Sequence, residues 1–386
     1  MSISIKLKQG MTVSSWATTM FERINAKDIC DFTLGNPEIE TPLAFTEELK
    51  RVVNNPFPGM HRYTHIAGYI ETRKAVADAI SMRSGLPVSA HHIIMTAGAT
   101  AALNIMMKAI LNPGEEIIVL APHFVDYPYY IDNHNGVCRI AETNQDFTIN
   151  VDNIADQINS NTKAIIINSP HNPTGEVYSE RSLKAVGELL EEKSRKFGKD
   201  IFLISDEAYR TIIFDGVKLP DMLSIYSNTF IAASYSKQLS IPGERIGYAA
   251  VHPAMKNAQD IIEALIFANR ILGYLNAPSL MQQVITHLQE VSVDIAEYRE
   301  RRDMFCDALH EFGYSFKVPE GTYYLFPKSP GDDLVFTREL AKEGVLVNPG
   351  TWYGRSGYFR IAFCVKKETI IKSLPGFKKV KDRLTV

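Results

Sequence analysis

A mostly parallel β-sheet covered by helices on both faces, followed by a smaller α+β region, is the fold class this 386-residue chain predicts. Three observations carry the prediction. Short continuous apolar runs such as Glu116–Leu120, Ala164–Asn168 and Ile201–Ser205 recur along the chain, and such runs suit strands buried on both faces. Amphipathic segments stand between them, the order that joins parallel strands through helical crossovers. After about Pro253 the pattern changes to long helical stretches with a few short strands.

In chain order, Glu71–Met82 has helical spacing and is followed by a β-rich run at His92–Thr96. Ala101–Leu111 reads as a helix, and Glu116–Leu120 as a buried strand. The β-branched runs Ala164–Asn168 and Ile201–Ser205 flank a charged helix, Glu180–Lys196. Strands at Thr229–Ala233 and Ile246–Val251 follow, then a long helical stretch that includes Leu280–Phe312. Short strands are expected near Tyr323–Phe326, Gly344–Val347 and Tyr358–Phe363. Functional side chains of such sheets collect beyond the carboxyl ends of the strands.

Composition narrows the function. Hydrophobic residues at 45% and charged residues at 22% are those of a globular protein with a substantial core. A net charge of −3 gives no reason to expect a nucleic-acid partner. Cys30, Cys138, Cys306 and Cys364 are far apart, which argues against a zinc ribbon or a disulfide framework and suits a reducing compartment. No histidine pair has ligand spacing, so no metal is expected. Met1–Gly10 lacks the apolar core of an export signal, and no stretch is long enough to span a bilayer; a cytoplasmic protein with no membrane partner is the expectation.

Three loops that follow strands carry the chemistry. They are Ser205-Asp206-Glu207-Ala208-Tyr209, then Asn168-Ser169-Pro170-His171-Asn172-Pro173-Thr174-Gly175, and Ser234-Tyr235-Ser236-Lys237 with Gly243-Glu244-Arg245-Ile246-Gly247-Tyr248 beyond it. Each alone has an ordinary structural reading. Asn-Pro-Thr-Gly is turn chemistry, an Asp after a strand caps helices, and Lys237 or Arg245 alone would be solvated surface cations.

Together and in this order they resemble the class I/II pyridoxal-phosphate-dependent aminotransferases, the aspartate aminotransferase-like group of fold type I. Ser234 to Tyr248 matches that family's S-x-S-K-x(7)-R-x-G-Y signature, and the likeness runs from Leu34-Gly35-Asn36-Pro37 to Arg360. The resemblance implies a large domain with a mostly parallel seven-stranded sheet, over 46–285. Residues 1–45 and 286–386 would form the small domain. It also implies pyridoxal 5′-phosphate as cofactor and a homodimer with shared active sites.

The roles it implies suit the residue types. Lys237 would form the Schiff base with the cofactor and then move protons, which a lysine can do when desolvation and nearby cations lower its pKa. Asp206 would pair with the ring nitrogen, and Asn172 and Tyr209 with the ring's phenolic oxygen. Gly98, Ala99 and Thr100 open a helix after a strand, so free amides there would meet the phosphate. Ser234 would add a hydroxyl and Arg245 a charge-assisted contact. Tyr63 would reach the phosphate of the neighbouring subunit, and Phe124 would stack on the ring. Arg360, in the apolar run Tyr358-Phe359-Arg360-Ile361-Ala362-Phe363, would bind the substrate's α-carboxylate, with Gly35 and Asn172 beside it.

The implied reaction is ping-pong transfer of an amino group from an L-α-amino acid to a 2-oxo acid. Arg270 precedes Tyr274-Leu275-Asn276-Ala277-Pro278 one residue out of step with an arginine that binds distal carboxylates in some relatives. Aspartate or glutamate with 2-oxoglutarate is the expected pairing on that ground; an exposed helix arginine is the other reading of Arg270. Aromatic or alanine aminotransfer, a β-lyase of the C–S type and a non-catalytic regulator are the alternatives. The regulator is disfavoured, because only about 35 residues precede the Gly35 motif, too few for an ordinary added domain. Two departures from the family pattern stand near the site. Glu244 either pairs with Arg245 or faces away, and Gly321-Thr322-Tyr323-Tyr324, in place of a small-aromatic-aromatic pattern, either narrows or polarises the pocket.

Overall fold

A computed structural model describes residues 29–384. In chain order its strands are β1 (Cys30–Asp31), β2 (Ile93–Thr96), β3 (Glu116–Ala121), β4 (Val137–Glu142), β5 (Thr162–Asn168), β6 (Phe202–Asp206), β7 (Thr229–Ser234), β8 (Gly247–Val251), β9 (Tyr324–Leu325), β10 (Val345–Leu346), β11 (Asn348–Pro349) and β12 (Phe359–Ala362). Seven of them form the central sheet, in the order β2-β8-β7-β6-β5-β3-β4. β8 runs antiparallel to both its neighbours and every other pairing is parallel. The expected mostly parallel α/β sheet is what the chain forms.

Strand side chains alternate between faces, which divides the core. Ile94, Ile117, Ile166, Ile204 and Phe230 pack on one face against the helices Ala99–Ile110 and Ala258–Ile271. Ile118, Ile165, Ile167 and Leu203 point the other way, onto the helix Glu180–Phe197. That helix buries Leu183, Val186, Gly187 and Leu190, a stripe of helical period. Ser179 caps its start by accepting the Ser182 N–H, and Gly198 ends it at φ 64°.

β4 has no counterpart in the expected elements. It is the sheet's edge, its sequence Val-Cys-Arg-Ile-Ala-Glu buries fully only Ala141, and charged side chains protect such edges from further pairing. An edge strand therefore lacks the apolar run that marks a central one. The expected long helix from Leu280 to Phe312 is broken into Ser279–Ile285 and Ile295–Glu311. The Thr286 hydroxyl turns back to the Gln282 carbonyl, and Asp294 starts the second helix by accepting the Ala296 N–H.

A second core gathers around Phe32, Phe305, Phe359 and Phe377, with Tyr209, Ile212 and Phe214 joining it from the loop after β6. β11, β12 and β9 form a small antiparallel sheet there, and β1 pairs with β10. The first 28 residues of the expected N-terminal arm lie outside the described residues.

Sheet register decides what meets at the carboxyl edge. Asn168, Asp206 and Ala232 lie side by side across β5, β6 and β7. Gly247 stands between Ser234 and Thr96. A Cβ on Gly247 would come within 2.4 Å of the Ala233 carbonyl and 2.9 Å of Gly98 Cα, so only glycine lets the β2 loop close down on β7 and β8.

Candidate active site

One cavity of about 390 Å³ opens over that edge. It is lined by Gly35, Ala99, Thr100, Phe124, Asn172, Asp206, Tyr209, Ser234, Lys237, Arg245 and Arg360. All the expected cofactor and substrate residues thus meet in one place, except Gly98 and Tyr63. Gly98 lies directly behind, since a Cβ on it would stand 2.8 Å from Arg245 Nη2. Tyr63 is 83% exposed and lines a separate groove with Tyr274 and Asn276.

Lys237 is half-buried, and its Nζ donates to the Gly35 carbonyl at 2.6 Å. Burial pulls its pKa down to about 8; Cys364 opposes that shift, and Arg245 and Arg360 add to it. A useful fraction of neutral amine is therefore present near neutral pH. Asp206 is buried, and desolvation pushes its carboxyl up to about 6. The Tyr127 hydroxyl donates to Oδ2 at 2.6 Å and the Ala208 N–H to Oδ1 at 3.2 Å, both favouring the charged form. Tyr127 is the site residue that sequence reasoning missed most clearly. It stands in the quoted Pro122–Tyr127 segment, but only the fold brings its hydroxyl to Asp206.

At the other end the helix Ala99–Ile110 begins at Gly98 (φ 90°) with no side-chain cap and no acid in its first turn. Its first amides are free to meet an anion. Arg245 Nη1 and Nη2 donate to the carbonyls of Pro242 and Ala97, which aim the guanidinium at that helix end. Glu244 is exposed and makes no ion pair with it among the described residues. Phe124 is half-buried on the cavity wall, edge-on to Tyr127 at 5.5 Å.

Arg360 is buried at 4% exposure on β12. Nη1 donates to Asn172 Oδ1 at 3.1 Å and Nη2 to the Thr33 carbonyl at 2.5 Å. Tyr324 and Tyr353 stand against the guanidinium at 4.3 and 4.9 Å. Its Nε has no acceptor, and no carboxylate among the described residues pairs with it. A buried cation left this way is suited to an anionic ligand. Tyr209 and Tyr324 share a 2.9 Å hydrogen bond, and burial, reinforced by Tyr324, keeps the Tyr209 phenol protonated. A Cβ on Gly35 would fall 2.1 Å from the Tyr324 hydroxyl, so that loop tolerates only glycine. Tyr323 donates to the same Gly35 carbonyl as Lys237, which is where the extra polarity of the Gly321–Tyr324 segment goes.

These residues fit pyridoxal phosphate at each point where the molecule makes demands. A buried carboxylate is present for its ring nitrogen, an uncapped helix start with an arginine for its phosphate, and a lysine of lowered pKa for its aldehyde. The sheet order, with one reversed strand beside a lysine-bearing turn, is the mostly parallel α/β architecture expected of a pyridoxal-phosphate-dependent transferase of fold type I.

The family model for aminotransferase class I and II matches residues 27–374, and the chain belongs to that family. It is 30% identical to the aspartate/prephenate aminotransferase of Thermus thermophilus, over 98% of this chain and 97% of that protein. A crystal structure of an aminotransferase from Eubacterium rectale superposes with a TM-score of 0.94 at 34% identity, covering all of both chains. The aspartate aminotransferase of Thermotoga maritima superposes at 0.85 with 25% identity, over 98% of this chain and 99% of that one.

Proposed function

We propose that the chain moves the amino group of an L-α-amino acid to a 2-oxo acid in two half-reactions at this cavity. The buried Arg360, with an orphan Nε in the same cavity as Lys237, carries the reading. It supplies a bidentate seat for an α-carboxylate within reach of an amine suited to proton transfer. Bound there, pyridoxal phosphate supplies an aldehyde that captures the amino group and a ring that draws electrons from the α-carbon.

The protein's own groups do the rest. Arg360 and Asn172 fix the carboxylate and so orient the α-carbon. Lys237 Nζ takes the α-proton, and the Gly35 carbonyl holds the amine in place when it is free. Asp206, whose charged form Tyr127 and the Ala208 N–H favour, would pair with the ring nitrogen and keep it protonated, so that the ring could accept electrons. Tyr209 donates at the phenolic oxygen. Ser234, Arg245 and the amides of Ala99 and Thr100 anchor the phosphate.

Exposed Tyr63 and Leu275 line the groove with Tyr274, and this apolar surface supports a homodimer in which Tyr63 serves the neighbouring site. Arg270 is exposed on the same helix as Phe267 and lies outside its own chain's cavity, so it too could serve only a neighbouring site. The relatives' names and Arg270 are the support for aspartate or glutamate with 2-oxoglutarate. The separate core around Phe359 supports the division into 46–285 and a small domain. No helix among the described residues is long and apolar enough to cross a membrane.

The test is the visible spectrum of the loaded protein as single amino acids are added without an oxo acid. Loss of the bound cofactor's absorbance with one equivalent of 2-oxo acid supports aminotransfer; continuous release of pyruvate and ammonia would replace it with β-elimination. Two variants sharpen it. Arg360→Lys keeps the charge but loses the planar fork, and should raise KM for the amino acid about 10- to 100-fold, with a smaller change in kcat. Tyr127→Phe removes a bond that favours ionised Asp206. The acid limb of the pH–rate profile should then move to higher pH, and an unmoved profile would deny Tyr127 this role.

A further inference from the structure

The cavity holds one charged group that this chemistry does not use. Asp126 lines it together with Phe124, Tyr353 and Arg360, and begins the helix Tyr127–Asn133. A capping role would explain an acid there, but its side chain accepts no backbone N–H of that helix. Among the described residues the one donor to its carboxylate is the Tyr130 hydroxyl, 3.2 Å from Oδ2, and no lysine, arginine or histidine forms an ion pair with it. Burial lifts its carboxyl above the usual range, opposed only by that hydroxyl. A half-buried acid with unused lone pairs facing a ligand cavity accepts hydrogen bonds from what enters.

Its place relative to the other charges is informative. The cavity's cations are Lys237, Arg245 and Arg360, committed to the amine, the phosphate and the α-carboxylate. Its other acid, Asp206, already holds Tyr127 and the Ala208 N–H. Tyr353 has its ring against Arg360 and its hydroxyl within the influence of Asp126. Asp126 therefore shares with Arg360 both the cavity and a common neighbour, Tyr353, so an amino acid held by Arg360 has this acid on the wall of the same cavity.

We propose that Asp126 reads the substrate's side chain, and favours one that ends in an N–H donor (amide, guanidinium or ammonium) over one that ends in a carboxylate. A distal carboxylate would meet a like charge with no free cation from this chain to offset it, whereas an N–H group would satisfy the unused lone pairs. The inference rests on aminotransfer at this cavity, and it runs against an acidic substrate as the preferred one.

L-Glutamine and L-glutamate differ only at that distal group, so they form the probe pair. The single-turnover rate of the loaded enzyme is measured with each, without an oxo acid, and with L-alanine as a short reference. The wild type should prefer glutamine. Asp126→Asn should lower the glutamine-to-glutamate ratio about tenfold or more, the worth of one hydrogen bond to a charged group, with alanine changed only a few-fold. A wild-type preference for glutamate overturns the inference even if the variant does not fold, and so does an unchanged ratio in Asp126→Asn. In either case turnover of alanine leaves aminotransfer standing. If no amino acid, alanine included, is converted, aminotransfer fails and the inference with it.

Discussion

Replacing Lys237 by alanine is expected to lower turnover by about 10⁴-fold or more, the upper range for losing a positioned acid–base group. The cavity's other cations among the described residues are Arg245 and Arg360, and a guanidinium has no lone pair to accept a proton in place of the amine. Borohydride reduction should fix pyridoxal phosphate to the wild-type chain and fail to fix it to Lys237→Ala. The lowered pKa adds a pH signature. The neutral amine is the reactive form, so the rate at which cofactor-free protein takes up pyridoxal phosphate should rise with pH and level off above about 8. A plateau delayed to the ordinary lysine value near 10.5 would show that burial does not tune this group.

Asp206→Ala is expected to separate binding from chemistry. The phosphate contacts of Ser234, Arg245 and the helix starting at Ala99 remain, so equilibrium dialysis should still find cofactor bound. The half-reaction with an amino acid should slow by on the order of 10²- to 10³-fold, the scale of losing one preorganised electrostatic partner in a desolvated site. The variant also leaves the buried Tyr127 hydroxyl without its acceptor, which lowers the stability of the fold. A half-reaction at the wild-type rate would remove Asp206 from the mechanism.

The central strands were legible because burial on both faces demands apolar residues, and β3, β5, β6, β7 and β8 each carry an unbroken apolar run. β4 escaped because an edge strand is half solvated and charged. The break between Ile285 and Ile295 escaped because Asp294 is a cap only once the preceding turn has formed. Lys237, Asp206, Asn172 and Arg245 were legible because each stands at a fixed offset from a strand end, within a loop whose residue order is itself a pattern. Tyr127, Tyr353 and Asp126 were not, since an aromatic or an acid near a helix start has ordinary reasons to be there.

The amino-acid sequence by itself therefore determined the layer architecture, the family and the residues that meet at the carboxyl edge of the sheet. Periodicity and loop order are local properties, readable along the chain. Only the tertiary structure decided which groups answer one another: Tyr127 with Asp206, Asn172 with Arg360, and Gly35 with both Lys237 and Tyr323. It also decided that Arg360 Nε has no acceptor and that, among the described residues, the Asp126 carboxylate has the Tyr130 hydroxyl as its one donor. Hydrogen bonding and desolvation depend on what surrounds an atom in space, and residues as far apart as Gly35 and Lys237 become neighbours only when strands of both cores are set in register.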